Sequence, residues 1–222
     1  MKINMGLVAM SLAAATMTAG AQGAILRFSS LLGTEGLGSY AGNVNWTAPI
    51  SGSGGPGTFI LTLVNTSGPT NGGYITGFAF NLVEGLTPDF LEDATELPEW
   101  QQLTNTNVPP WGTFDTGAAV GGNWLGSGGS GSPELGIGVG ESRQFTFEIY
   151  GNEEFLRSLD VEDLFHATDS IEFAARFRGF NDGGSDKVPA RLPAPGAIAV
   201  LALAGLIGRR GRAPHACARS DA

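Results

Sequence analysis

Between Arg143 and Tyr150 the chain places Phe145, Phe147 and Ile149 two residues apart, with Gln144, Thr146 and Glu148 between them. A strand turns successive side chains to opposite faces, so this spacing gathers three large apolar groups on one face and polar groups on the other. The alternation recurs in Thr58–Asn65, where Phe59, Leu61 and Leu63 share a face, and in Ile171–Phe180, where Ile171, Phe173, Ala175 and Phe177 do. Tyr74–Leu82 is a further strand candidate, and Ser67–Gly73, rich in Gly, Pro and Asn, supplies the turn before it. One buried and one wet face per strand suits antiparallel sheets packed against each other. The expected fold is therefore all-β, an antiparallel β-sandwich of jelly-roll-like form with one to three short helices. Thr87-Pro88-Asp89 reads as a cap with proline at the first helical position, opening a turn through Leu91. Asn152–Leu159 carries Glu153 and Glu154 near the positive end of a second helix, and Val161–Phe165 is a third candidate.

Composition agrees with a folded, turn-rich body. Of 222 residues 35 are glycine, without the strict period of collagen, and 42% are apolar, too many for a chain that stays unfolded. The net charge of −9 is unevenly spread. All but one of the 21 Asp and Glu, but only half of the 12 Lys and Arg, lie between Gln22 and Val188. An acidic body is repelled by phosphate backbones, so nucleic acid is not an expected partner. The single cysteine, Cys217, leaves the body without a disulfide or a thiol nucleophile, which fits export.

The two ends differ from the body. Residues 1–21 begin with Lys2, continue through an apolar stretch from Gly6 to Ala15, and close on Ala19-Gly20-Ala21. This is the build of a signal peptide, with small Ala19 and Ala21 where the peptidase requires them and the cut expected after Ala21. At the other end Pro189, Pro193, Pro195 and Gly196 form a Pro-rich opener expected to resist regular structure. An apolar run from Ala197 to Gly208 follows, and Arg209, Arg210 and Arg212 close it. As a helix that run spans about 18 Å against about 30 Å of hydrocarbon, a marginal crossing that snorkelling arginines on the cytoplasmic side would lengthen.

The order Pro193-Ala194-Pro195-Gly196, apolar helix, Arg209, Arg210 and Arg212 resembles the PEP-CTERM sorting signal, with Ala194 where the family usually has Glu. The body adds a weaker, ordered likeness. It runs through Asn65-Thr66-Ser67, Gly77–Asn81, Phe114-Asp115-Thr116-Gly117, Gly121-Gly122-Asn123-Trp124, Gly138–Ser142, Arg176–Phe180 and Gly184–Pro189. The resemblance implies signal peptidase and a membrane transpeptidase, exosortase, as processing partners. It also implies the inner membrane as a transient station, the cell surface or extracellular matrix as destination, and extracellular polysaccharide as a partner there. It carries no catalytic residues and no cofactor. The expected division is 1–21 signal peptide, 22–188 extracellular domain, 189–212 sorting signal and membrane helix, and 213–222 a C-terminal extension atypical of the family.

Other motifs compete for attention. Gly52, Gly54, Gly57 and Gly126, Gly128, Gly131 match the dinucleotide spacing, but the first precedes a strand and the second sits in a Gly/Ser loop. The acidic stretch Asp89, Glu92, Asp93, Glu96, Glu99 would serve a glycosidase only if two carboxylates faced each other across a cleft. Asn181–Asp186 offers oxygen ligands for calcium without the EF-hand order, and otherwise reads as a plain turn. Trp46, Trp100, Trp111 and Trp124 would make a sugar platform if exposed together, and otherwise core. His166 is the sole histidine before the tail and reads as structural. The function expected is a non-catalytic surface or matrix protein, with a carbohydrate- or calcium-dependent adhesion module as the alternative.

Overall fold

The computed structural model describes residues 24–91, 99–125, 131–167 and 171–193. Among them are ten strands: β1 (Ala24–Ser29), β2 (Tyr40–Thr47), β3 (Gly57–Asn65), β4 (Gly72–Phe80), β5 (Thr87–Phe90), β6 (Trp100–Asn107), β7 (Thr113–Val120), β8 (Ser142–Tyr150), β9 (Phe173–Phe180) and β10 (Ser185–Ala190). One helix, α1 (Glu153–Ser158), and two 3-10 turns, Pro133–Leu135 and Val161–Leu164, complete the described elements. The strands form two five-stranded sheets, β1-β2-β3-β8-β5 and β10-β9-β4-β7-β6. All pairings are antiparallel.

The alternating residues meet in the gap between the sheets. Phe59, Leu61, Phe145 and Phe147 of the first sheet face Phe78, Phe80 and Phe173 of the second, all fully buried. Phe59 stacks on Phe80 with centroids 5.2 Å apart, and Phe145 lies 4.6 Å from Phe78 and 4.7 Å from Trp100. Each such side chain contributes about 1.5–3 kcal/mol by burial, and each aromatic pair about 0.5–1.5 more.

The outer faces differ. On the second sheet Ala79, Ala119 and Ala174 point away from the gap yet are buried under Leu103, Val108, Trp124 and Ile171. On the first sheet the rows across the strands are Arg27–Asn43–Thr62–Gln144, Ile25–Asn45–Ile60–Thr146 and Thr47–Thr58–Glu148–Asp89. That face is solvated, mostly neutral and rich in hydroxyls and carboxamides.

Two edges of the sandwich are closed by different means. The Gln102 carboxamide accepts from the Phe90 amide at 3.1 Å and donates to the Pro88 carbonyl at 3.0 Å, as a neighbouring peptide group would. Opposite, the chain after β1 crosses to the second sheet and covers β10. Ser30 bridges Ala190, Leu31 N–H donates to Pro189 O at 2.8 Å, and Thr34 N–H donates to Lys187 O at 2.9 Å.

Two stretches correct the expectation and one bears it out. Thr87-Pro88-Asp89 opens strand β5, not a helix: Pro88 sits at a sheet edge, where its missing N–H removes no ladder bond. The segment read as a turn through Asp186 and an irregular opener from Pro189 is instead strand β10, which runs through Pro189 to Ala190. The strand therefore ends two residues beyond Val188, the expected limit of the domain. The helix expected from Asn152 is present, with the Asn152 side chain accepting from Phe155 N–H at 3.1 Å.

Candidate functional site

The described chain leaves the sandwich at Arg191–Pro193, at the corner where β10 meets the end of β1. Here the Leu192 amide donates to Glu172 Oε2 at 3.1 Å, so a carboxylate just ahead of β9 holds the exit. A cavity of about 330 Å³ opens beside it, lined by Glu162, Asp163, Phe165, His166, Glu172 and Pro193 among others. On its other flank His166 borders a cavity of about 490 Å³ with Leu82, Val83, Glu84 and Asp115. The floor of this second cavity is braced: Asn81 Oδ1 accepts from Asp115 N–H at 2.8 Å, and Asp115 Oδ2 accepts from Leu82 N–H at 3.1 Å. His166 N–H donates to Asn81 O at 3.2 Å.

Of the residues expected to form the sorting signal, Pro193 is at this exit. Ala194, Pro195, Gly196, Arg209, Arg210 and Arg212 lie outside the described residues, as do Ala19 and Ala21 of the expected signal peptide. No helix among the described residues is long and apolar enough to cross a membrane.

The polar residues of the body motifs act as staples. Asp186, 1% exposed, accepts at Oδ1 from the Thr34 hydroxyl (3.0 Å), Glu35 N–H (3.0 Å) and Lys187 N–H (2.8 Å). At Oδ2 it accepts from Leu37 N–H (2.9 Å) and Gly38 N–H (3.0 Å). Burial alone would raise the Asp186 pKa; the amides of Gly38, Glu35 and Leu37 and the Thr34 hydroxyl outweigh it and hold the carboxyl below its ordinary range. Asn65, fully buried, donates to Gly73 O and Ile137 O at 3.0 and 2.8 Å and accepts from Ser67 N–H at 3.0 Å.

These contacts show where the residues of the competing motifs sit. Asp186 spends its oxygens on protein donors, and among the described residues no three His, Cys, Asp or Glu converge as a metal would need. Asp89 and Glu148 are cross-strand neighbours on one solvated face, not partners across a cleft; Glu92, Asp93 and Glu96 lie outside the described residues. Trp46, Trp100 and Trp124 are buried, with Trp111 half-buried against the second cluster, so they form core and not a platform. The amides of Gly52 and Gly54 donate to the Glu153 carboxylate at 2.6 and 3.1 Å, which ties that loop to α1. Those two hydrogen bonds lower the Glu153 pKa.

Sequence reasoning missed Glu172 at the exit and the cage at Asp186. A buried acid in a strand signals the second only after the strand is known. A scan of family models, a search of curated proteins and a search of solved structures each return no match to this chain.

Proposed function

We propose that the chain is an exported cell-surface or extracellular-matrix structural protein, non-catalytic, whose tail is a PEP-CTERM-like sorting signal. One observation carries the reading. The described strands run from Ala24 to Ala190, so the expected cut after Ala21 and the expected processing region at Pro193–Gly196 interrupt none of the described strands. Signal peptidase removes the first segment. The apolar run holds the chain at the inner membrane with Arg209, Arg210 and Arg212 inside, and exosortase acts near Pro193 to Gly196, freeing the acidic body for surface or matrix. The finer jelly-roll-like description is supported by nested pairing: β6 with β7, β5 with β8, and β4 with β9, alternating between the sheets. The test is the intact mass of the protein recovered from membrane, surface and medium fractions. The expected mature species begins at Gln22 and lacks the residues after the Pro193–Gly196 region; a surface species retaining both ends rejects the reading.

A second reading has its own observation. The outer face of the first sheet sets Asn43, Thr58, Thr62, Gln144 and Thr146 close together on a solvated, mostly neutral surface. Such a surface offers hydrogen bonds to an uncharged polysaccharide without charge repulsion from the acidic body. Binding on a glycan array that Asn43→Asp and Thr62→Glu abolish would favour this adhesion role; an array with no signal would dismiss it.

A further inference from the structure

Trp124 carries a buried donor without an acceptor. The residue is 3% exposed, and among the described residues its indole Nε1–H has no hydrogen-bond partner. The Trp100 indole, by contrast, donates to Leu135 O at 3.3 Å. A buried N–H left unpaired costs free energy that a ligand oxygen would recover. The ring atom nearest to a Cβ built on Gly77 of β4 is Cε3, at 3.5 Å, and Nε1 is on the other edge of the indole. Trp124 also lines a cavity of about 340 Å³, together with Leu103, Thr104, Thr106 and Asn107 of β6 and its own neighbours in residues 122–125. Asn123 Oδ1 accepts from Leu125 N–H at 2.9 Å, which fixes the turn that presents Leu125, 56% exposed, at this wall. Between Thr104 and Thr106, Asn105 has φ 46°, the one positive φ outside glycine among the described residues. Asn enters the left-handed region more readily than most residues, yet the conformation stores strain, and such strain collects where chains hold ligands.

We infer that this cavity binds an uncharged, hydroxyl-rich ring, one sugar residue of a neutral glycan, with Trp124 Nε1–H donating to one of its oxygens. The lining selects the class. None of its described residues is charged, in a chain of net charge −9. An anionic ligand would meet no cation there and an acidic body around it, and a cationic ligand would meet no carboxylate. A purely apolar ligand would leave the indole N–H unpaired. The class that remains offers oxygens to the indole and to the Thr104 and Thr106 hydroxyls, and C–H surface to Leu103 and Leu125. Gln102, also at the wall, spends its carboxamide on Phe90 and Pro88 and so holds the rim in place. The site belongs to the second sheet, apart from Asn43 and Thr62 on the first. It needs neither the adhesion role of that other face nor the sorting reading.

The test uses the full chain in a detergent without a sugar headgroup. Heteronuclear NMR follows the indole N–H resonances of the four tryptophans, that of Trp124 being the one lost in Trp124→Phe. Neutral trisaccharides of glucose, galactose and mannose are titrated to millimolar concentration. At least one is expected to shift the Trp124 resonance saturably and to leave that of Trp100, which keeps its bond to Leu135 O. Trp124→Phe should weaken binding about tenfold or more, read from the backbone amides of Thr104 and Thr106. Because Trp124 is also core, Leu125→Asp at the exposed wall serves as the second variant, and should weaken binding by a similar factor with an unchanged melting temperature. Asn43→Asp combined with Thr62→Glu should leave the Trp124 shift intact. Binding lost in that pair but kept in Leu125→Asp would put the sugar on the first sheet and overturn the inference. So would the absence of a saturable shift from all three trisaccharides, an equal shift from glycerol, or tighter binding of a trigalacturonate.

Discussion

Asp186 joins β10 to a loop about 150 positions earlier in the sequence through four of its five hydrogen bonds. Nothing in Gly184-Ser185-Asp186-Lys187 announces this, because the donors are backbone amides brought there by the fold; sequence alone reads the acid as a turn residue or a cation ligand. The carboxylate is needed ionised. With its folded pKa held below the unfolded value of about 3.9, its contribution is fully present above that value and is lost as pH falls through the folded pKa. Asp186→Asn places an NH₂ against amide donors, and should cost on the order of 2–4 kcal/mol at pH 7 by urea denaturation. The variant should also show a flatter loss of stability between about pH 5 and 2 than the parent, as acid titration of the unfolding midpoint would reveal. A parent and variant with parallel acid limbs would mean that the cage does not set the pH dependence. Glu153 carries a shift of the same sign but is solvated, so Glu153→Gln should barely move that limb.

At the scale of elements, β7 shows what a sheet buried on both faces demands. Gly117 stands between Ala79 of β4 and Leu103 of β6, and a Cβ there would collide with the carbonyl oxygen of Phe78. The obstacle is backbone, which no rotamer relieves. Gly117→Ala should therefore cost about 2–3 kcal/mol, read as a lower urea midpoint at unchanged slope, whereas Gly55→Ala, whose Cβ would meet only the Ser53 hydroxyl oxygen at 3.5 Å, should stay within about 0.5 kcal/mol. Strands β3, β4, β8 and β9 were legible because large apolar residues recur two apart over a polar or small-residue face. Strands β6 and β7 were not, since Trp100-Gln101-Gln102-Leu103 and Thr116-Gly117-Ala118-Ala119 carry too little contrast between faces. Strand β5 was misread because Thr-Pro-Asp serves equally as a helix start and as an edge strand, and only the Gln102 carboxamide at its rim decides. The expected processing addresses at the two ends rest on composition and order alone, and all of their residues except Pro193 and its neighbours up to the exit lie outside the described residues.

For the whole molecule, the chain just after the first described strand meets the end of the last one at the exit corner, and the sandwich closes there through Ser30, Leu31 and Thr34 on β10. Closure thus needs residues up to Ala190, and Leu192 just beyond them packs, partly buried, against the same core. A chain of this length buries well over half of its unfolded surface, enough for independent stability. A fragment of residues 22–193 should accordingly fold alone, with a single cooperative thermal transition and strong near-UV circular dichroism from buried Trp46, Trp100 and Trp124. Ending the fragment at residue 184 instead removes β10, and with it the Asp186 cage, Val188 and the cover of Tyr40, whose hydroxyl donates to Val188 O at 3.3 Å. That shorter piece should lose the cooperative transition and bind hydrophobic dye. If the 22–193 fragment were itself molten while the chain carrying its C-terminal apolar run was ordered, that run would be part of the core and the division between cargo and address would be wrong.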